Sequence, residues 1–285
     1  MTTRSAADSR EFAMSDEEFA LIASVAHQRA GIVLGPSKRE MVYGRLTKRL
    51  RQLGLRSFRE YCDLLKGPEG EQEASFTLNA VTTNVTKFFR ESHHFDHLAA
   101  TAIPDAAARS GTRGRKRMRI WSAGCSTGEE PYTIAMVLCE TLRDIAQWDI
   151  RILATDIDTN VLKAARDGIY GARHVETIPP ALRSRYVDPV KGEPDRFRMA
   201  PELRSLITFN TLNLLQPWPM KGKFDVVFCR NVVIYFSNES RGDLMSRFAD
   251  ILCDGGYLYV GHSECLINMA DRFKLTARSV YAKVS

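Results

Sequence analysis

The chain has 285 residues, 44% of them hydrophobic and 26% charged, with a formal net charge of +6 and a sequence pI near 9.0. That length and apolar content suit an α/β domain with a smaller companion and exclude a disordered chain. No run nears the ~18–20 apolar residues of a membrane span, the polar Met1–Arg10 stretch lacks a secretory apolar core, and the expected compartment is the cytoplasm.

Residues 1–14 read as a flexible N-terminus and residues 15–82 as a helical domain. Ser15-Asp16-Glu17-Glu18 has the form of a capping box, with Phe19, Ile22, Ala23 and Ala26 following at helical spacing. Pro36 opens a second helix whose apolar stripe (Met41, Val42, Leu46, Leu50, Leu53) ends at Gly54. Its other face carries Arg45, Lys48, Arg49 and Arg51, so it is basic. The positive balance as a whole favours an acidic partner.

Residues 83–116 read as a linker and helix leading into the next domain. Within them T-T-N-V-T-K-F-F-R-E, residues 82–91, is unusually rich in hydrogen-bonding side chains for a connector. His93-His94 follows at a helix start, where adjacent side chains point apart and make a poor metal pair. G-T-R-G-R-K-R, residues 111–117, reads as a solvated linker.

Residues 117–285 alternate short β-rich runs with helical patterns. Met118–Ser122, Ile150–Thr155, Leu206–Asn210, Phe224–Cys229 and Gly256–Gly261 have strand length and apolar content, which predicts a parallel sheet with helices on both faces. Two short strands around Ala277-Arg278-Ser279 add an antiparallel edge. Residues 168–204, with five prolines and three glycines, break the alternation and read as an inserted subdomain. Six scattered cysteines with no C-x-x-C pair support neither a disulfide framework nor a zinc site.

Chemistry concentrates after the strands. W-S-A-G-C-S-T-G-E-E-P-Y, residues 121–132, is a strand-to-helix turn whose small residues let a ligand approach the backbone. No lysine follows Gly128. Glu129 and Glu130 stand there instead and would repel a triphosphate, but suit a cofactor with hydroxyls, an amine or a sulfonium. Asp156, at the end of the second strand, can accept from ribose hydroxyls, although it lies too far from Gly124 for a dinucleotide fingerprint. Asn213-Leu214 follows the third strand, and Arg230, Asn231 and Tyr235 follow the fourth. His262-Ser263-Glu264 after the fifth strand lacks a nucleophile elbow and reads as structural or as a pocket rim.

The ordered set T-T-N-V-T-K-F-F-R-E, S-T-G-E-E-P-Y, A-T-D-I-D, F-D-V-V-F-C-R-N-V-V-I-Y-F and G-H-S-E resembles the chemotaxis receptor methyltransferase family, CheR, over about residues 15–285. The resemblance implies a class I S-adenosylmethionine-dependent methyltransferase: a Rossmann-like, mostly parallel seven-stranded sheet with an all-helical N-terminal domain and a small inserted β subdomain. It implies transfer of methyl from S-adenosylmethionine to glutamates of bacterial chemotaxis receptors, giving glutamyl methyl esters and S-adenosylhomocysteine. Asn84, Thr86, Arg90, Glu130, Asp156, Asn213, Leu214, Arg230 and Asn231, with Gly124, are then expected to line the cofactor site. Arg90 and Tyr235 are the expected catalytic pair, and Arg45, Lys48, Arg49 and Arg51 the receptor-docking face. A receptor C-terminal peptide is a further possible partner, binding to the insertion. A monomer is expected, with no nucleic acid bound, no membrane insertion and no metal. The rival readings are a nucleic-acid methyltransferase, against which the absence of a D-P-P-Y or Pro-Cys signature counts, and a cofactor-sensing module without turnover.

Overall fold

The computed structural model describes residues 11–111, 116–264, 266 and 269–284. Its contacts divide into a helical unit, comprising the chain up to Thr83 with Tyr235–Ser237, and a sheet unit comprising the rest.

In the helical unit, α1 (Asp16–Ala30) starts with the reciprocal capping box: Glu18 N–H donates to Ser15 Oγ and Ser15 N–H to Glu18 Oε2. These two bonds satisfy donors a helix start leaves orphaned. Pro36–Lys38 forms a 3-10 turn rather than the first turn of a helix, and α2 (Arg39–Leu53) begins after it. Gly54 ends α2 with φ +69°, the left-handed cap that glycine adopts without strain. Two further helices, α3 (Phe58–Lys66) and α4 (Gly70–Val81), complete the unit. Ile22, Leu46, Leu50 and Phe58 are fully buried and form its core. Of the segment 1–14, residues 1–10 lie outside the described residues. Residues 11–14 are engaged: Met14 is buried, its carbonyl accepts from Arg39, and Glu11 pairs with Arg51.

The sheet unit opens with α5 (His93–His97), a π turn at Leu98–Ala102 and α6 (Ile103–Gly111). Alternation then runs β1 (Arg117–Ala123), α7 (Glu129–Thr141), β2 (Asp149–Asp156) and α8 (Thr159–Asp167). The insertion follows as β3 (Ile169–Gly171), α9 (Ala172–Val175), α10 (Pro180–Tyr186), β4 (Val187–Val190) and β5 (Glu193–Met199), its strands forming a separate antiparallel sheet in the order β3-β5-β4. The main sheet resumes through α11 (Pro201–Leu206), β6 (Ile207–Thr211), β7 (Phe224–Cys229), α12 (Asn238–Ile251), β8 (Leu252–Val260), β9 (Phe273–Ala277) and β10 (Val280–Lys283).

The seven strands lie in the order β6-β2-β1-β7-β8-β10-β9. The first five are mutually parallel, and β10 is antiparallel to both β8 and β9. The chain winds outward through β1, β2 and β6, then returns to β7 on the other side of β1. The switch point therefore lies between β1 and β7, where ligands of open parallel sheets collect. Trp121 on β1 is fully buried and donates through Nε1 to Thr155 Oγ1 on β2 at 2.9 Å, so its polar edge is satisfied inside the core.

One sequence expectation needs correction here. β8 begins at Leu252, not Gly256: its pairing with β7 jumps from Phe224↔Leu252 to Val226↔Tyr257, so Cys253–Gly256 is taken up as a bulge with Gly255 at φ +69°. Of the basic stretch before β1, residues 112–115 lie outside the described residues, and Lys116 and Arg117 are exposed. Beyond its two ends, Arg109 donates to the Gly255 carbonyl and Arg119 pairs with Asp149. Among the described residues no helix is long and apolar enough to cross a membrane.

Candidate cofactor and active site

The carboxyl ends of β1, β2, β6 and β7 carry the motifs, and hydrogen bonds knit them into two groups. In the first, Gly124 and Cys125 N–H both donate to the Thr155 carbonyl, fastening the turn after β1 to β2. Ser126 N–H donates to Asp156 Oδ2 at 2.8 Å, and Ser126 Oγ to the Asn84 carbonyl at 2.8 Å. Asn84 Nδ2 donates to Asp158 Oδ2 at 2.7 Å, and Asp158 N–H closes the ring on Asp156 Oδ1 at 3.0 Å. Leu212 N–H donates to the Asp156 carbonyl, bringing Asn213 and Leu214 to the same edge. Asn213 Oδ1 caps the turn by accepting from Leu215 N–H, and the Leu214 carbonyl is held by Trp218 Nε1 and Arg247 Nη1.

The second group centres on Arg230, whose side chain is 2% exposed. Its Nη1 lies 3.2 Å from Glu130 Oε2, its Nη2 lies 3.2 Å from Glu91 Oε2, and Nη2 also donates to the Arg90 carbonyl. Ser122 Oγ on β1 donates to the other Glu130 oxygen at 2.6 Å. Both oxygens of Glu130 thus accept, as an ionised carboxylate does. Arg230, an expected cofactor residue, is thus enclosed by Glu91, Glu130 and the Arg90 carbonyl. Asn231 sits at φ +58°, with its N–H on Glu264 Oε2 at 2.9 Å. Glu264, 7% exposed, also accepts from Gly261 and Ile234 N–H, so one buried carboxylate ties together the loops after β7 and β8.

The strap before α5 is strained around Arg90: Phe89 and Glu91, on either side of it, have φ +54° and +57°. Left-handed geometry at such residues costs about 1 kcal/mol or more and persists where surroundings enforce it. The enforcing contacts are Phe89 N–H on Thr133 Oγ1, the buried Phe88 edge-on to Tyr170, and Glu91 on Arg230 and His262. Arg90 itself is half-buried, with Nη1 on the Val85 carbonyl, and Thr86 is half-buried beside it in the chain.

Burial pushes the carboxyls of Glu129, Glu130 and Asp156 upward. Arg230 and Ser122 offset this at Glu130, and backbone N–H groups of Asp158 and Ser126 do so at Asp156. Carboxylates therefore outnumber cations in this buried region, a donor set that fits a ligand bearing hydroxyls, an amine and a sulfonium and disfavours phosphates. Glu91 behaves differently. Burial alone would raise it, but His262 and Arg230 outweigh that and bring its carboxyl to about 2. Buried His94, beside Arg230 and His93, is held down at about 3 and is neutral.

Several expectations change. The turn glycines are required by the protein's own packing: a Cβ at Gly124 (φ +84°) would meet Val232 Cγ2 at 2.3 Å, and one at Gly128 (φ +96°) Ala165 and Tyr170 at 2.9 Å. His93 and His94 do not diverge, since their rings lie 4.2 Å apart. Arg45 and Arg49 are not a free basic face. Arg45 Nη1 donates to the Ala80 and Thr82 carbonyls, and Arg49 is paired with Glu73 and lies over Phe76. Arg51 pairs with Glu11 but remains exposed, as does Lys48. Tyr235 groups with the helical unit, where its carbonyl accepts from Val33 N–H at 2.9 Å.

Glu91, Ser122, Ser126 and Asp158 have no assigned part in the site from sequence, and Glu264 reads there only as structural or as a pocket rim. Asp158 was signalled by the D-I-D pair and Glu91 by its place after Arg90. Ser122 carried no signal, because a serine inside an apolar strand reads as filler.

The all-α domain model of the CheR methyltransferases matches residues 17–82, and their SAM-binding domain model matches residues 84–282. A probable chemotaxis protein methyltransferase of Rhizobium etli is 47% identical over 82% of this chain and 87% of its own length. The chemotaxis protein methyltransferases of Salmonella typhimurium and Escherichia coli are 41% and 42% identical over 96% and 95% of this chain, each match covering 92% of the relative. A helical domain, a switch-point site rich in carboxylates and family models spanning nearly the whole chain agree: it belongs to the CheR methyltransferase family and is an S-adenosylmethionine-dependent methyltransferase.

Proposed function

We propose that the protein methylates glutamate side chains of chemotaxis receptors, forming glutamyl methyl esters and S-adenosylhomocysteine, in the cytoplasm and as a monomer. The observation that carries this reading is the match to named chemotaxis protein methyltransferases along almost the full chain, helical domain included.

When bound, S-adenosylmethionine supplies an electrophilic methyl group on a sulfonium. The cofactor-binding set is Asn84, Thr86, Arg90, Gly124, Glu130, Asp156, Asn213, Leu214, Arg230 and Asn231, with Asp156 and Glu130 as acceptors for its hydroxyl and amine groups and Arg230 holding Glu130 in place. A glutamate with an ordinary pKa of about 4.3 is already ionised at neutral pH, so no residue is needed as general base. What the chain supplies is position and exclusion of water. Arg90 and Tyr235 are assigned to orient the substrate carboxylate, Arg90 by charge and Tyr235 by its hydroxyl.

Receptor docking is assigned to the α2 face of Arg45, Lys48, Arg49 and Arg51. Lys48 and Arg51 present charge to an acidic helical surface, and Arg45 and Arg49 hold α2 on α4. The inserted β subdomain is the candidate seat for a receptor C-terminal peptide. The decisive experiment is incubation with methyl-labelled S-adenosylmethionine and receptor-containing membranes, followed by alkaline treatment. Release of labelled methanol supports the reading, and base-stable label in protein or label in nucleic acid refutes it.

A further inference from the structure

The Arg230 guanidinium is shared by two carboxylates. Glu130 Oε2 and Glu91 Oε2 each lie 3.2 Å from it, and the three groups are nearly closed to solvent, with side chains 2% exposed for Arg230, 11% for Glu130 and 12% for Glu91. One positive charge against two negative ones leaves the cluster at net −1. Among the described residues, the histidines beside it leave that charge in place: His94, 3.4 Å from Glu91, is neutral, and His262 meets Glu91 from the half-exposed side, through Nδ1 at 2.9 Å.

The two cofactor forms differ by one charge, since the methyl donor has a sulfonium where the spent product has a neutral thioether. We infer that Glu91 is a specificity-determining residue: the negative charge it adds beside Arg230 and Glu130 favours the sulfonium form of the cofactor over the thioether product. Without Glu91, the cluster becomes a neutral Arg230–Glu130 pair and that preference falls. Glu91 is also well placed to do this without touching ligand, because charge acts over several ångströms in a poorly hydrated interior. The inference rests on placing Glu130 at the cofactor.

The test is calorimetric binding of S-adenosylmethionine and of S-adenosylhomocysteine to the purified protein, with no turnover required. Glu91→Gln, which keeps shape and removes charge, is expected to move the ratio of the two Kd values about tenfold toward the product, equivalent to about 1.4 kcal/mol. Glu91→Asp, which keeps the charge, should restore the wild-type ratio even where both affinities weaken. A purely structural Glu91 would not show that split. Should Glu91→Gln not fold, His262→Lys places a permanent positive charge on the exposed side of Glu91 and should shift the ratio in the same direction by about threefold. Equal weakening of both ligands in Glu91→Gln, or an unmoved ratio in His262→Lys, overturns the inference. Glu130→Ala separates the two layers: if it leaves both affinities unchanged, the placement of the cofactor at Glu130 is what fails.

Discussion

Arg49 and Glu73 meet in a two-point ion pair inside the helical unit, Nε to Oε1 at 2.9 Å and Nη2 to Oε2 at 2.7 Å. Glu73 is 4% exposed, and the Tyr61 hydroxyl donates to its Oε1 at 2.8 Å. Removing the arginine strands a buried carboxylate, and breaking such a pair costs about 3 kcal/mol. Arg49→Ala is therefore expected to lower the thermal midpoint by several degrees. An unchanged midpoint would show the pair to be dispensable.

Lys48 makes the cleaner test of docking, being exposed on the same helix. Lys48→Glu should leave the midpoint within about 0.5 kcal/mol of wild type. It should also slow receptor methylation severalfold, with the deficit shrinking as salt is raised. Initial rates at low and high ionic strength check both parts.

Glycines 54 and 124 share a left-handed backbone but not surroundings. A Cβ at Gly54 meets nothing within 4 Å, whereas one at Gly124 runs into Val232. Gly54→Ala should cost about 1 kcal/mol, the price of the backbone conformation alone. Gly124→Ala must also displace the loop holding Asn231, and should cost more than twice as much and abolish cofactor binding. Denaturant midpoints and calorimetry on the two variants provide the comparison.

Acid should act in two stages. His94 is neutral in the fold down to about pH 3, whereas in the unfolded chain it takes a proton near 6.5. Stability is complete above pH 6.5 and falls below it by about 1.4 kcal/mol per pH unit. Glu91 is ionised in the fold down to about 2 against an ordinary 4.5, so its contribution of about 3 kcal/mol is present above pH 4.5 and lost between there and pH 2. Denaturation at pH 7.5, 5.5 and 4 measures the first stage, and in His94→Gln the slope between 6.5 and 4.5 should flatten.

Glu264→Ala would leave the N–H groups of Gly261, Asn231 and Ile234 without their shared acceptor. At about 1 kcal/mol or more for each buried donor, a loss of about 3 kcal/mol in stability is expected, with weakened cofactor binding through Asn231. Glu264→Gln should recover only part, because its amide nitrogen cannot accept. Full binding in Glu264→Ala would place Asn231 outside the site.

Much of this fold is legible in the chain because its signals are local. The capping box at Ser15, Gly54 after α2, and apolar runs ending in Asp156 or Cys229 each state an element and its end. What hides is whatever depends on a distant partner. The basic face of α2 reads as solvent-facing until Glu73, well downstream, claims Arg49. Glu264 reads as a rim residue until three backbone donors from two loops converge on it. Glu91 reads as an ordinary charge because its conformation is imposed by Arg230, on a strand end far along the sequence. The bulge in β8 hides for a related reason: Asp254-Gly255-Gly256 has turn composition, and only pairing with β7 shows that the strand continues through it.

The placement of β10 bears on how the molecule comes to exist. It lies between β8 and β9, yet it follows both in the chain. During folding, then, β8 keeps an open edge on that side until β10 docks, whatever else of the sheet has formed. Until that moment Tyr257, Leu258 and Tyr259 lie along an unsealed β edge, the kind of surface on which chains recruit one another. A change that delays or weakens docking of Val280–Lys283 would then raise aggregation, although the strands already paired had not been altered.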